Sequence, residues 1–134
     1  YRGVYKGQNW EWAGKWAARA DDVLSWLPAR ITGVLILGMA GVPARGTGRG
    51  RGWAALRTEA ARTPSPNSGW PMAAMALVLG VSLQKPGIYV LNTAGRTPQA
   101  QDTRRAIVCA SKVLLALVFF AQIAIISGPT GAAP

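Results

Sequence analysis

The chain has 134 residues, half of them apolar, with 15 Lys and Arg against 5 Asp and Glu and a formal net charge of +10. It has no His and a single Cys, Cys109, which excludes an internal disulfide and a zinc site built from the usual ligands. Its cations fall in three groups of five, before Ile31, from Arg45 to Arg62 and from Lys85 to Lys112; they lie between apolar blocks, as the loop charges of a membrane protein do, and are not gathered on one face for nucleic acid.

Residues 8–27 predict an amphipathic helix. Trp12, Trp16, Val23 and Leu27 recur at helical spacing, with Lys15, Arg19 and Asp22 on other faces. Trp10, Trp12, Trp16 and Trp26 are four of the six tryptophans, and indole favours the membrane interface, where its ring is dry and its N–H wet. An interfacial helix is expected, against the alternative of a helix facing a protein core. Pro28 then kinks or restarts the helix. The run at residues 28–42 (PARITGVLILGMAGV) is read as a first spanning helix; counted from Trp26 to Pro43 it covers roughly 27 Å, with Arg30 able to snorkel from its first turn.

Residues 44–52 (ARGTGRGRG) are Arg/Gly-rich and lack both the Lys-Ser/Thr ending of a phosphate-binding loop and a GxGxxG spacing, so they read as a solvated, lipid-facing linker. Residues 53–62 form a short basic helix. Residues 71–83 are apolar all round but about 20 Å long as a helix, too short to cross alone, and are read as buried or re-entrant. Residues 85–101, with KPG, NTAG and TP, are read as loop. Residues 104–127 give the clearest spanning helix, with residues 113–126 apolar except for Gln122, and Arg104, Arg105 and Lys112 anchoring its entry side.

The expected fold is therefore all-α and integral to the membrane. It has two spanning helices, an interfacial amphipathic helix and a short buried or re-entrant helix. They form a single membrane domain over residues 1–134, with a basic loop at 44–63 and a frayed tail at 129–134. The start at Tyr1 shows no apolar targeting stretch, and the sequence reads as a piece of something longer. Equal charge in the three basic groups leaves the membrane orientation open.

Three places hold residues suited to chemistry. Residues 63–75 (TPSPNSGWPMAAM) combine extended Pro-preceding positions, turn formers at Asn67, Ser68 and Gly69, and Pro71 opening a helix. Backbone N–H groups from Asn67 to Trp70 would converge at a helix N-terminus, a place for phosphate or carboxylate; a plainly capped helix start is the alternative. Asp21 and Asp22 are paired carboxylates suited to Mg²⁺ with a phosphate or to acid–base work, unless Asp22 merely pairs with Arg19 one turn back. Asp102 stands near Arg104 and Arg105, as a helix N-terminal charge followed by membrane anchors does.

In the same order, these segments resemble the adenosylcobinamide-phosphate synthases, inner-membrane proteins of corrinoid synthesis. ADDVLSWLPARITG resembles that family's paired Asp, Trp and Pro-Ala-Arg ahead of a membrane helix, and PSPNSGWPMAAMALVLGV resembles its Ser-Pro-Asn-x-Gly-Trp-Pro signature, with the helix ending at Gly80. Gly87, Tyr89, GRTP at Gly95 to Pro98, and Asp102 with Arg105-Ala106 fit a weaker tail pattern. The likeness covers residues 16–121, the C-terminal portion of a longer, multi-pass protein. It departs at the Arg/Gly run and in a shorter, less aromatic stretch at residues 89–102.

The resemblance implies ATP- and Mg²⁺-dependent amide formation between adenosylcobyric acid and aminopropanol or its phosphate, with the corrinoid as substrate. It implies Asp21, Asp22 and Arg30 as catalytic residues, with Asp21 and Asp22 able to hold Mg²⁺. Ser65, Asn67, Gly69, Trp70, Pro71 and Asp102 are implied to bind substrate. The implied partners are the bilayer and other membrane proteins of the cobalamin pathway, with no nucleic acid. A non-catalytic basic membrane protein, or an inactive remnant binding anionic lipid or membrane partners, is the competing reading. A nucleic-acid binder rests on the Arg/Gly run alone, without a folded aromatic platform.

Overall fold

A computed structural model describes residues 8–41 and 52–128, with side chains from Gly14 onward. The Arg/Gly run up to Arg51, the tail at 129–134 and the side chains of Trp10 and Trp12 lie outside the described residues. The chain is mostly helical, in the order α1 (Gln8–Leu24), α2 (Trp26–Met39), α3 (Gly52–Ala60), α4 (Gly69–Leu79), β1 (Leu83–Lys85), β2 (Tyr89–Leu91) and α5 (Ala100–Ile126).

The kink expected at Pro28 occurs just before it. The α1 and α2 axes differ by 42° at Ser25, because Pro28 has no N–H to carry the helical ladder back across that turn. Trp16 is 70% exposed, and Val23, Leu24 and Leu27 are exposed as well, so the apolar side of α1 does not face the described core.

Short α4 is the centre of the packing, touching α2, α3, α5 and β2. Ala73, Ala74 and Ala76 are fully buried, and small side chains let the neighbouring backbones come close. The core around them is built from Ile36 and Leu37 of α2, Leu56 and Ala60 of α3, Leu91 of β2, and Cys109 and Val113 of α5. The expectation of a short helix buried in protein holds for α4. Its end is a Schellman motif. Gly80, at φ 66°, donates to the Leu77 carbonyl at 3.3 Å, and Val81 donates to the Ala76 carbonyl at 3.0 Å.

Two expectations change. Leu83, expected to end the helix before it, and residues 85–91, read as loop, form an antiparallel hairpin pairing Leu83 with Leu91 and Lys85 with Tyr89, so the fold is not purely α. Its turn has Pro86 at the second position and Gly87 at φ 73° at the third, closed by an Ile88 N–H to Lys85 carbonyl bond of 3.0 Å, the type II pattern. Secondly, among the described residues only α5 is by itself long and apolar enough to cross a bilayer. The 14 residues of α2 rise about 21 Å, so α2 qualifies only if α1 and α2 are taken together as one bent span. The most apolar stretch of α5 is only 11% buried, whereas the core helix of a soluble protein would be mostly covered.

The close packing gives a stability test. A Cβ at Gly69 would collide with the Ala60 carbonyl and the Thr63 hydroxyl, whereas one at Gly38 in α2 meets nothing within 4 Å. Gly69→Ala is expected to lower stability by about 1–3 kcal/mol, and Gly38→Ala to leave it unchanged or raise it by up to ~1 kcal/mol. Thermal unfolding in detergent, followed by circular dichroism, distinguishes the two.

Candidate functional site

The proline-rich loop folds onto the α1–α2 junction. Asn67, only 6% exposed, is the connector. Its Nδ2 donates to the backbone carbonyl of Asp22 at 2.6 Å, and its Oδ1 accepts from Arg30 Nη1 at 3.3 Å. Arg30 Nη1 also donates to the Trp26 carbonyl at 2.7 Å, one turn back on the same helix. The Arg30 guanidinium lies between two indoles, 4.0 Å from the Trp26 ring centroid and 4.8 Å from that of Trp70. Such cation–π contacts hold the charge in place without neutralising it. Trp70 in turn meets Trp53 of α3, with ring centroids 5.4 Å apart. Asp22, Arg30, Ser65, Asn67, Gly69, Trp70 and Pro71 are thereby gathered at one end of α4.

The expected cradle of backbone amides does not form. Ser65 Oγ takes the N–H groups of Asn67 and Ser68 at 3.4 and 3.2 Å, and the Trp70 N–H goes to the Asn67 carbonyl at 3.1 Å. The turn satisfies its own donors, because the serine placed two and three residues back competes for them. Of the four amides only that of Gly69 remains, and Gly69 is packed against the end of α3. The local charge suited to an anion is therefore the guanidinium of Arg30.

Asp21 is exposed, and its Oδ1 accepts from Ser25 Oγ at 3.4 Å. Asp22 is half-buried and forms no ion pair with Arg19, so its carboxylate is not used up by that neighbour. No group of three or more His, Cys, Asp or Glu suited to a metal occurs among the described residues. Consecutive helical positions point about 100° apart, so the two carboxylates do not close on one ion as a pair.

Asp102 is not brought to this site. It sits at the start of α5, beside the other end of α4, which is about 16 Å long. Arg96 grips it through Nη1–Oδ2 and Nη2–Oδ1 contacts of 2.7 and 2.6 Å, and the Gln99 N–H donates to Oδ2 at 2.8 Å. This bidentate bond raises the pKa of Arg96 above its ordinary value. Arg96 is tied to the end of α4 in turn, its N–H donating to the Gly80 carbonyl at 3.0 Å and its carbonyl accepting from Ser82 at 2.8 Å.

Three residues missed by the sequence reading matter here. Trp26 stands four positions before Arg30, a spacing that stacks ring and cation on one helix face and was available as a signal. Asn92, at φ 50°, donates through Nδ2 to the carbonyls of Ala76 and Val81 at 3.1 and 3.0 Å, and its N–H reaches Glu59 Oε2 at 2.7 Å. The contact between Glu59 and Asn92 spans 33 residues, and nothing local announces it.

A helical chain with one long uncovered apolar helix, and an arginine clamped between tryptophans by a proline-rich loop, defines a class of membrane-capable proteins with a polar site at the end of a buried helix. The chain belongs to the CobD/Cbib protein family, whose model matches residues 3–118. This agrees with the resemblance carried by SPNSGWP. It is 42% identical over 103 residues to the probable cobalamin biosynthesis protein CobD of Methanothrix thermoacetophila, covering 77% of this chain and 31% of that protein. It is 41% identical over 100 residues to the cobalamin biosynthesis protein CobD of Halalkalibacterium halodurans, covering 75% of this chain and 31% of that protein. With the cobalamin biosynthesis protein CobD of Dehalococcoides mccartyi the identity is 36% over 131 residues, covering 92% of this chain and 40% of that protein. The chain thus spans about a third of the length of these relatives. No solved structure matches it.

Two substitutions separate the polar clusters. Asn67→Ala strands the Asp22 carbonyl and loosens Arg30, and is expected to cost about 1–3 kcal/mol in thermal unfolding. Asp102→Ala is expected to fray the first turns of α5, read as faster amide exchange at Arg105 to Val108, while the exchange of Trp26 to Arg30 stays unchanged.

Proposed function

We propose that this chain serves cobalamin biosynthesis as the C-terminal portion of an adenosylcobinamide-phosphate synthase, a multi-pass protein of the bacterial inner membrane. The reaction is ATP-dependent amide ligation of aminopropanol or its phosphate to adenosylcobyric acid. Family membership supports the pathway. The observation that carries the site is Asn67, which links the signature loop to Asp22 and to Arg30 at once.

In this reading Arg30 receives an anionic oxygen of the substrates, a carboxylate or a phosphate. Clamped between Trp26 and Trp70, it cannot swing away, so it is already oriented when charge develops in the transition state. Asn67 positions it. The Asp22 carboxylate, free of Arg19, takes the proton of the attacking amine, or one carboxylate of the Asp21–Asp22 pair would hold Mg²⁺. A single carboxylate suffices there, since Mg²⁺ completes its shell with phosphate oxygens and water. Bound ATP with Mg²⁺ supplies the activation that lets a carboxylate lose an oxygen. Ser65 and Pro71 act by shaping the loop, Gly69 by letting it close on α3, and Asp102 by holding α5 against α4. The second reading, a non-catalytic basic membrane protein or remnant that binds anionic lipid, rests on the net charge of +10.

Complementation of a strain lacking the corrinoid amide ligase tests this, with the chain expressed alone and joined to the remaining part of the Dehalococcoides relative. Rescue is expected for the joined protein, with Asp22→Ala and Arg30→Lys each lowering corrinoid output at least tenfold. Lysine keeps the charge but cannot lie flat between two indoles. Full rescue by either variant would remove that residue from the chemistry, and no rescue by any form would favour the remnant.

A further inference from the structure

A second cationic place lies away from Arg30. The last turns of α2 and α4 and the first third of α5 enclose an open groove of about 420 Å³. Arg104, Arg105 and Lys112 rim it, and Met39, Val78, Leu79 and Val108 supply apolar wall. Arg105, Val108, Cys109 and Lys112 recur at helical spacing, so one face of α5 carries both the charge and the floor. Arg104 and Lys112 make no hydrogen bond or ion pair among the described residues. They are therefore not spent on capping the ends of α2 and α4. Arg105 has only a 4.0 Å approach to Asp102, which is already committed to Arg96.

We propose that this groove binds the headgroup of an anionic phospholipid. Three cations and no carboxylate at the rim match a phosphodiester. The wall offers nothing to a soluble nucleotide, whose base and sugar need hydrogen-bonding partners, but it suits a glycerol backbone and the start of an acyl chain. Beyond the groove the same face continues through the exposed Leu115 and Phe119 on the helix long enough to cross a bilayer. Charge at the entry end and an uncovered apolar stripe below it follow the polarity of a lipid. The site is separate from the one assigned to the amide ligation and stands or falls without it.

The test uses the full chain in nanodiscs of dioleoylphosphatidylcholine, with and without dioleoylphosphatidylglycerol. Val108 lines the groove and is 48% exposed, whereas Cys109, the one thiol of the chain, is buried, so a Val108→Cys/Cys109→Ser variant carries the reporter thiol, and its modification by a small methanethiosulfonate reports occupancy at the place itself. Phosphatidylglycerol is expected to slow that reaction. In native mass spectrometry from neutral detergent, phosphatidylglycerol is expected to be retained about 30-fold better than phosphatidylcholine, about fivefold for each free cation. Arg104→Gln/Lys112→Gln is expected to lose the preference, while Arg19→Gln/Arg57→Gln, also exposed, keeps it. Since Arg104 and Lys112 are exposed, the helical circular dichroism of the variant is expected to match the parent. Equal loss in both double variants would reduce the effect to general surface charge. Protection of the thiol at position 108 by inorganic phosphate in lipid-free micelles would make this a soluble-anion site. No preference, or no protection of the thiol at position 108 by phosphatidylglycerol, would overturn the proposal outright.

Discussion

Gly33 of α2 sits against the carbonyl of Trp70, so close that a methyl group there would lie 3.3 Å from that oxygen, and the rest of the described structure depends on this approach. Close contact between α2 and α4 brings Arg30, one turn before Gly33, within reach of both the Trp70 ring and the Asn67 amide. It also places Ile36 and Leu37 over the alanines of α4. A larger residue at 33 would push α4 away, and the cation would lose its second indole. Helices that associate inside or beside a bilayer gain little from burying apolar surface against one another, so van der Waals packing across small residues and a few specific polar contacts have to hold them. Gly33 and Gly69 with Ala73, Ala74 and Ala76 provide the first, and Asn67 the second.

The two ends of α4 are fastened in different ways. At its start, the loop satisfies its own amides through Ser65 and lends one buried side chain, Asn67, to two other elements. At its end, Asn92 and Arg96 return from beyond the hairpin to bind the carbonyls of Ala76, Gly80 and Val81. The second fastening is denser. Asp102 is gripped on both oxygens, which makes it a brace for α5. At the first end, among the described residues, no ion pair neutralises Arg30, Asp21 or Asp22. Charge held in fixed geometry is what a reaction needs, and this difference separates the end proposed to react from the end that fastens α5.

Much of this was legible in the sequence. The break near Pro28, the short buried helix after Pro71 and the long helix from about Arg104 follow from local periodicity and from proline's missing donor. The grouping of Asp22, Arg30 and the SPNSGWP loop came from resemblance, and the geometry now supplies its physical basis. The hairpin was missed because three-residue strands carry too little alternation to be seen against a run of turn formers. The amide cradle was misjudged because sequence shows how many donors a loop has, but not which are already satisfied by Ser65. Asn92, Glu59 and Arg96 act across long separations in the chain, where no local pattern reaches.

The length of α5 explains why its cations lie where they do. From Ala106 to Ile126 the helix rises about 31 Å, close to the ~30 Å hydrocarbon thickness of a bilayer. In a bilayer crossed by that length, Arg104 and Arg105 would lie at headgroup level and Lys112 more than one turn inside. A bare ammonium at that depth is costly, and its stem is long enough to carry the charge back toward the interface. The groove beside α4 lies along that path. A lysine one turn deeper would have to desolvate, and one a turn higher would add nothing to the rim formed by Arg104 and Arg105. The position of Lys112 therefore joins the two properties of α5, its apolar length and its basic entry end, in a single side chain.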